Sequence, residues 1–307
     1  MLFSYDPDRR ALVERPTHST SPWIHAIDPS PDEVAVLVAL GVDASDLEHA
    51  LDPDEVARVA THGGHELVIL RLPFRPSEPG ELPFRAATAG VVVLSDRRLL
   101  TVSRYPSEVF ERVAARGPVF SGPWQLVLFL IEEIADSFLR HLREVDAQVE
   151  KLEGDLQESL RNREVLELLR YQKSLVHFTT SLSSIELMLE RLARHAAPSL
   201  SEEDRAQLED ARIEVRQARE MCGVSENILS QMMDAFASII ANNLNVVMKV
   251  LTAATVILSL PMLVASVYGM NVPLPGQHHP AAFVMVVIAC VLLSLGGALL
   301  LRRLRWL

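Results

Sequence analysis

Two periodicities divide this chain. Through residues 1 to about 120, short β-branched and aliphatic runs fall at 23–27, 56–61, 67–72, 86–94 and 99–103, bounded by Pro, Gly and Asp, a strand pattern. Residues 31–40 have helical composition between them, with Ser30 placed to cap the start and Gly41 to stop the end. His62-Gly63-Gly64-His65 reads as a two-residue hairpin turn. After Gly122-Pro123 the spacing changes: Leu139, Leu142, Val145, Val149, Leu152 and Leu156 recur at three and four, the period of an amphipathic helix. A second such run starts near Asn162 and continues to about His195, so the two predict a long antiparallel helical hairpin turning around 154–163. Pro198 ends it.

Ser201-Glu202-Glu203-Asp204 then offers a capping hydroxyl and acids at the positive end of a helix dipole. Between there and Pro261 Gly223 is the one breaker, which predicts a single helix over 201–269, roughly 100 Å at ~1.5 Å per residue. Residues 250–268 carry no charge, and neither do residues 281–301. Each run is about the ~20 residues needed to cross ~30 Å of hydrocarbon. The expected organisation is an α/β domain over 1–120, a helical hairpin over 121–198 and a helix over 199–269 whose end (about 247–269) spans a membrane. A loop over 270–281, a second span over 282–301 and a basic tail over 302–307 complete it. The fold class is therefore α+β, with long helices leading into a C-terminal two-helix transmembrane hairpin.

Charge sharpens this picture. All 40 acidic residues lie at or before Asp234, and beyond it the charges are Lys249, Arg302, Arg303 and Arg305. Residues 1–245 thus hold 25 basic against 40 acidic groups, a net of −15. An acidic soluble part argues against nucleic acid, whose phosphates need a basic surface; it suits a protein that meets cations. The N-terminus lacks the apolar core of a secretory signal, which predicts a cytosolic soluble part. With basic residues in the tail and none in the 270–281 loop, both termini should face the cytosol and the loop should face out. Two cysteines, Cys222 in the soluble part and Cys290 in the second span, predict no structural disulfide.

The candidate chemistry is a stripe. Asn245, Met248, Thr252, Thr255, Ser259, Met262 and Ser266 alternate at spacings of three and four, and stay within an arc of about 100° on one helix face. Polar groups in lipid are costly unless paired or functional, so amides at both ends of this face, Asn245 and Asn271, point to a water-filled path more than to close helix packing. Two spans cannot enclose a channel; several copies around one axis can, with the first span inside and the aliphatic second span outside.

The turn Tyr268-Gly269-Met270-Asn271, the segment Asn-Val-Val-Met-Lys-Val-Leu at 245–251 and the tail Arg-Arg-Leu-Arg-Trp-Leu at 302–307 resemble the CorA family of divalent-metal transporters. The order of parts matches along the whole chain, while the motifs are confined to 245–307. The resemblance implies a funnel-shaped homopentamer in the cell's inner membrane that moves Mg2+, and often Co2+ or Ni2+, into the cell, driven by the membrane potential. It implies Gly269, Met270 and Asn271 as the selectivity motif, with Asn271 the outer ring. It also implies Asn245, Met248 and Leu251 as inner pore rings and Asp234 further into the cytosol. Regulation by cytosolic Mg2+ is implied between protomers, with Asp210 as the acid on the stalk helix and Glu78 or Glu81 as candidate partners. One departure stands out: the loop after the motif reads Val-Pro-Leu-Pro-Gly-Gln-His-His-Pro, without an acid. His278 and His279 there are candidates for outer capture of a softer metal.

No nucleophile elbow, metalloprotease helix or phosphate-binding glycine loop occurs, so neither an enzyme nor an organic cofactor is expected; the expected partners are metal ions, lipid and further copies of the chain. Two alternatives are a Zn2+ transporter of the ZntB branch, which shares the architecture but varies the Gly-Met-Asn motif, and a membrane-anchored helical adaptor without transport.

Overall fold

In the computed structural model, the described residues are 1–14, 21–62, 65–76, 81–94, 96–116, 122–158, 162–195, 200–270, 276, 279–304 and 306. They group into two compact units, Met1–Gln231 and Met232–Leu307.

The first unit is built on a seven-stranded sheet. Its strands are β1 (Leu2–Asp6), β2 (Ala11–Glu14), β3 (Trp23–Ile27), β4 (Arg58–His62), β5 (His65–Phe74), β6 (Arg85–Val93) and β7 (Leu99–Ser103), in spatial order β2-β1-β3-β7-β6-β5-β4. All neighbours are antiparallel except β3 and β7, which run parallel. His62 lies opposite His65 in the β4–β5 register, which confines the connection to two residues, as the sequence implies. Helices α1 (Pro31–Ala39) and α2 (Ala44–Leu51) precede β4. Ser30 caps α1 through a reciprocal box: its Oγ accepts the Glu33 N–H at 3.3 Å, and Glu33 Oε2 accepts the Ser30 N–H at 2.8 Å.

Strand alternation sends Leu67, Ile69, Leu100 and Val102 into one buried cluster with Leu37, Leu47 and Ala50 of α1 and α2. The α2 backbone comes so close to β6 that a Cβ on Gly90 would sit 2.4 Å from Ala50 Cβ. The remaining helices are α3 (Glu108–Arg116), α4 (Pro123–Glu158) and α5 (Asn162–His195). From α4 and α5, Phe138 and Phe178 meet edge to face at 5.0 Å, and Phe84 extends the aromatic cluster. The long α6 (Glu202–Tyr268) begins at the Ser201 hydroxyl, which accepts the Asp204 N–H at 3.1 Å, and contributes to both units. Cys222 on α6 is buried, and burial pushes its thiol up to about 12. α7 (Ala282–Arg303) closes the chain.

A polar knot ties β3 to β7. The Thr101 hydroxyl oxygen accepts Trp23 Nε1–H at 2.9 Å and lies 2.8 Å from His25 Nδ1, while Phe110 stacks on the His25 ring at 4.0 Å. Burial lowers the His25 pKa to about 3, so the folded protein keeps this ring neutral. A depressed histidine pKa contributes stability above 6.5, and that contribution is lost as pH falls toward 3, because the unfolded chain takes up a proton the fold refuses. Between pH 7 and 4.5 the resistance of the detergent-solubilised protein to chemical unfolding should therefore fall more steeply for the native chain than for His25→Gln, the unfolding constant rising by up to about tenfold more per pH unit.

Candidate ion pathway

Two helices are long and apolar enough to cross a membrane, the end of α6 and the whole of α7. They touch along defined faces. Cys290 Sγ donates to the Pro261 carbonyl at 3.8 Å, and a Cβ on Gly297 would lie 3.0 Å from Leu260 Cδ1. Val264 and Tyr268 share a cavity with Ala282, Met285 and Val286. The partly covered residues of α6 therefore run Ile257, Leu260, Pro261 and Val264, in line with the fully buried Ala253.

The polar stripe does not lie there. At ~100° per residue its members centre about 160° from the Ala253–Val264 face. Asn245, Thr252, Thr255, Ser259 and Ser266 are all exposed, as are Met248, Leu251 and Met262 at 54%, 60% and 70%. Packing against α7 thus does not use the hydroxyls. They are flanked by aliphatic residues that also remain uncovered in the single chain, Leu258 at 68% and Leu263 at 67%. Asp234, exposed and also on α6, falls on the same angular sector three turns before Asn245.

Three of the stripe's four hydroxyl protons are engaged locally. Thr252 Oγ1 donates to the Met248 carbonyl at 2.7 Å, Thr255 Oγ1 to Leu251 at 2.8 Å and Ser259 Oγ to Val256 at 3.0 Å. Donation to the preceding turn satisfies the donor and leaves oxygen lone pairs facing away from the helix.

The helix continues just past Tyr268: Gly269 N–H donates to the Ala265 carbonyl at 2.9 Å and Met270 N–H to Val267 at 3.2 Å. A Cβ on Gly269 would come within 3.3 Å of the Ala265 carbonyl oxygen, tighter than most side chains tolerate. Asn271 and His278 lie outside the described residues. His279 Nδ1 accepts the Ala281 N–H at 3.1 Å, just before α7. That bond uses the Nδ1 lone pair and places the proton of a neutral ring on Nε2, so capture of a metal by His279 requires this contact to break.

Asp210, the acid selected on the stalk helix, stands in the field of other acids of its own chain. It raises the pKa of Glu132 on α4 and of Glu214 one turn further along α6, both already raised chiefly by burial. Asp136 adds to both, and Arg116 opposes, 3.9 Å from Glu132 and 3.9 Å from Asp136. Arg116 spends its closest contact, 3.0 Å, on the buried Glu133, which Arg140 also holds at 2.9 Å. The Gln207 side chain, hydrogen-bonded to Glu132, also opposes the upward shift there, while Glu214 Oε2 is buried without a hydrogen-bond partner among the described residues. Glu81 pairs loosely with Arg85 at 3.8 Å, and Glu78 lies outside the described residues. Among the described residues no group of three or more His, Cys, Asp or Glu side chains is placed to hold a metal. Sequence reasoning selected Asp210 and missed Glu132, Asp136 and Glu214. Their signal is a pair of acids at i, i+4 on each of two helices, a spacing that puts like charges on one face.

An α/β unit, long helices and two C-terminal apolar helices with an unpacked polar stripe define a membrane protein of the two-span transporter class. The family described as CorA-like Mg2+ transporter protein matches residues 19–303, and the chain belongs to that family. Its members are transporters rather than enzymes. The cobalt/magnesium transport protein CorA of Methanocaldococcus jannaschii is 29% identical over 303 residues, 92% of this chain and 90% of that protein. The complete structure of the CorA magnesium transporter from Methanocaldococcus jannaschii superposes with a TM-score of 0.84 at 26% identity, covering 100% of this chain and 98% of that one. The ZntB cytoplasmic domain from Vibrio parahaemolyticus shares the fold at a TM-score of 0.56 and 13% identity, covering 80% of this chain and 97% of that one.

A carboxyl group whose folded pKa is raised contributes stability at acid pH and loses it as pH rises through that raised value. Near neutral pH, Glu132 and Glu214 therefore cost stability. In metal-free buffer at pH 7.5, Glu132→Gln and Glu214→Gln should each raise the thermal midpoint by roughly 1–3 °C. The gain should vanish below the ordinary glutamate value of 4.5.

Proposed function

We propose that this chain conducts Mg2+, with Co2+ or Ni2+ as further substrates, through a homopentameric pore in the inner membrane. Both termini then lie in the cytosol, the Gly269-Met270-Asn271 motif forms the outer mouth, and the inside-negative potential supplies the driving force. The observation that carries this reading is the stripe of hydroxyls, amides and thioethers on the α6 face turned away from α7. Copies of α6 around a common axis bring those faces together, and the aliphatic flanks pack against neighbouring copies and lipid.

The chemistry of the stripe fits a hydrated ion. Mg2+ releases its waters reluctantly, and a bound shell presents hydrogens outward. Oxygen lone pairs on Thr252, Thr255 and Ser259 accept those hydrogens without stripping the shell. A ring of neutral Asn271 carboxamides does the same at the mouth, where carboxylates would hold the ion too long for conduction. Met248 and Leu251 form apolar constrictions that close by excluding water. A divalent ion gains about 4.6 kcal/mol per 100 mV on entry, twice the value for one charge.

Cytosolic Mg2+ is the proposed regulator. The acids around Asp210 repel one another in the metal-free chain, and a cation held by Asp210 and an acid of the neighbouring protomer lowers that repulsion and locks the closed state. Zn2+ transport of the ZntB kind is less well supported, since the likeness to the ZntB domain is one of fold. The non-transporting adaptor is set aside by membership of a transporter family.

The test is ion uptake into liposomes holding the purified protein, with Mg2+, Co2+, Ni2+ and Zn2+ compared under an imposed inside-negative potential. Mg2+ uptake that follows the potential is expected, and Asn271→Ala should reduce it at least about tenfold, the effect of removing about 1.4 kcal/mol of stabilisation from the rate-limiting site. Uptake restricted to Zn2+, or untouched by Asn271→Ala, would overturn the assignment. Asp210→Ala should weaken inhibition by Mg2+ on the cytosolic side; unchanged inhibition removes Asp210 from the mechanism.

A further inference from the structure

The first unit carries a cleft of about 710 Å³ between the end of β5, the start of β6, the loop joining β7 to α3, and the middle of α4. Its composition runs against the rest of the soluble part. In a region of net charge −15, four arginines line this one cleft: Arg75, Arg85, Arg112 and Arg140. Three glutamates share it, Glu81, Glu108 and Glu144, so cations outnumber acids where they are elsewhere the minority.

The arginines have capacity to spare. Arg85 sits 3.8 Å from Glu81, a loose pair, with its side chain 42% exposed. Arg112 is bonded to Glu108 at 3.2 Å on the surface, lies 3.9 Å from the buried Glu133 and is 49% exposed. Arg75 pairs with Glu144 in solvent, and its guanidinium stands 5.0 Å over the Phe84 ring. Each guanidinium has five N–H donors in a planar fork, and a single carboxylate contact at the surface is weak enough to be exchanged. An oxyanion with several terminal oxygens can replace such contacts bidentately, and phosphate does so best.

An aromatic platform adjoins them. Phe74 and Tyr105 stack at 4.4 Å with 11° between their planes, and both line the cleft. Phe74 is partly covered, and Tyr105 is 38% exposed. A flat heteroaromatic ring laid on an open aromatic face gains stacking energy whatever its edge pattern. The volume exceeds that needed by a lone phosphate and falls within the range of small-molecule sites.

From these exchangeable arginines in one cleft with the exposed Tyr105 we infer that the cleft binds a nucleotide, its phosphates on lining arginines, Arg85 among them, and its base on Tyr105. No glycine loop is involved; side-chain guanidiniums take the place of backbone N–H groups. The ligand is the chemical opposite of the proposed transported cation, and no residue of the α6 stripe lines the cleft.

Binding is read on full-length, detergent-solubilised protein in EDTA, so that chelation of residual metal plays no part, using a fluorescent trinitrophenyl-ATP probe displaced by ATP, ADP, pyrophosphate or adenosine. Saturable binding below about 1 mM is expected, with ATP displacing the probe better than either pyrophosphate or adenosine alone. Arg85→Glu should weaken ATP at least about tenfold by opposing the phosphates. Tyr105→Leu should weaken it about fivefold while leaving pyrophosphate unchanged. The thermal midpoint of each variant is checked; if Arg85→Glu lowers it, Arg85→Gln takes its place. Absence of saturable binding, displacement by pyrophosphate as strong as by ATP, or affinity unaltered in both folded variants would overturn the assignment. None of these outcomes depends on whether ions cross the membrane.

Discussion

A helix that must cross hydrocarbon cannot leave polar groups against lipid without cost, and α6 carries a polar row along the depth of its span. Either α7 covers that row or something aqueous does. The contacts of Leu260 with Gly297 and of Pro261 with Cys290 fix α7 on the opposite side, so the row stays open in the isolated chain. Much else follows from that choice. The second span is free to be aliphatic, small residues such as Gly297 serve the contact between spans, and the first span is left with a polar face that α7 does not cover.

The soluble unit meets a different constraint. Its excess of acid is distributed so that some carboxylates are well matched and others are not. Glu133 is buried and held by Arg116 and Arg140, whereas Glu132 and Glu214 share a weaker counter-charge and sit beside Asp136 and Asp210. Breaking the first kind of contact leaves a buried charge unpaired and is expensive. Relieving the second kind releases repulsion.

Much of this architecture could be read in the residues. The spans declared themselves by length and lack of charge, α6 by the want of breakers, α1 by its Ser30–Glu33 box, and the β4–β5 turn by two glycines between histidines. What escaped was short or depended on distant partners. β1 and β2 are five and four residues, with Pro7 and Asp8 in their turn, too little for a period to register. Helices α2 and α3, eight and nine residues, were also missed, although Asp43 gives the first a side-chain cap. The parallel pairing of β3 with β7 joins segments some 76 residues apart through Thr101 and His25, and no local pattern carries it. At the site, spacing alone was enough to pick out the stripe, because all its members share one helix. The acids around Asp210 come from α4 and α6 together and needed the fold to bring them near.

The inward-turned protons of Thr252, Thr255 and Ser259 have one more implication. With these three hydrogens given to the helix's own carbonyls, the three hydroxyls offer electron pairs and withhold their donors. A chloride ion entering a conduit lined this way would exchange its solvent for repulsive dipoles, while a metal aquo-complex finds acceptors. In the proposed conduit, discrimination by sign of charge would then draw on backbone hydrogen bonding at these three positions, with no carboxylate in residues 250–268.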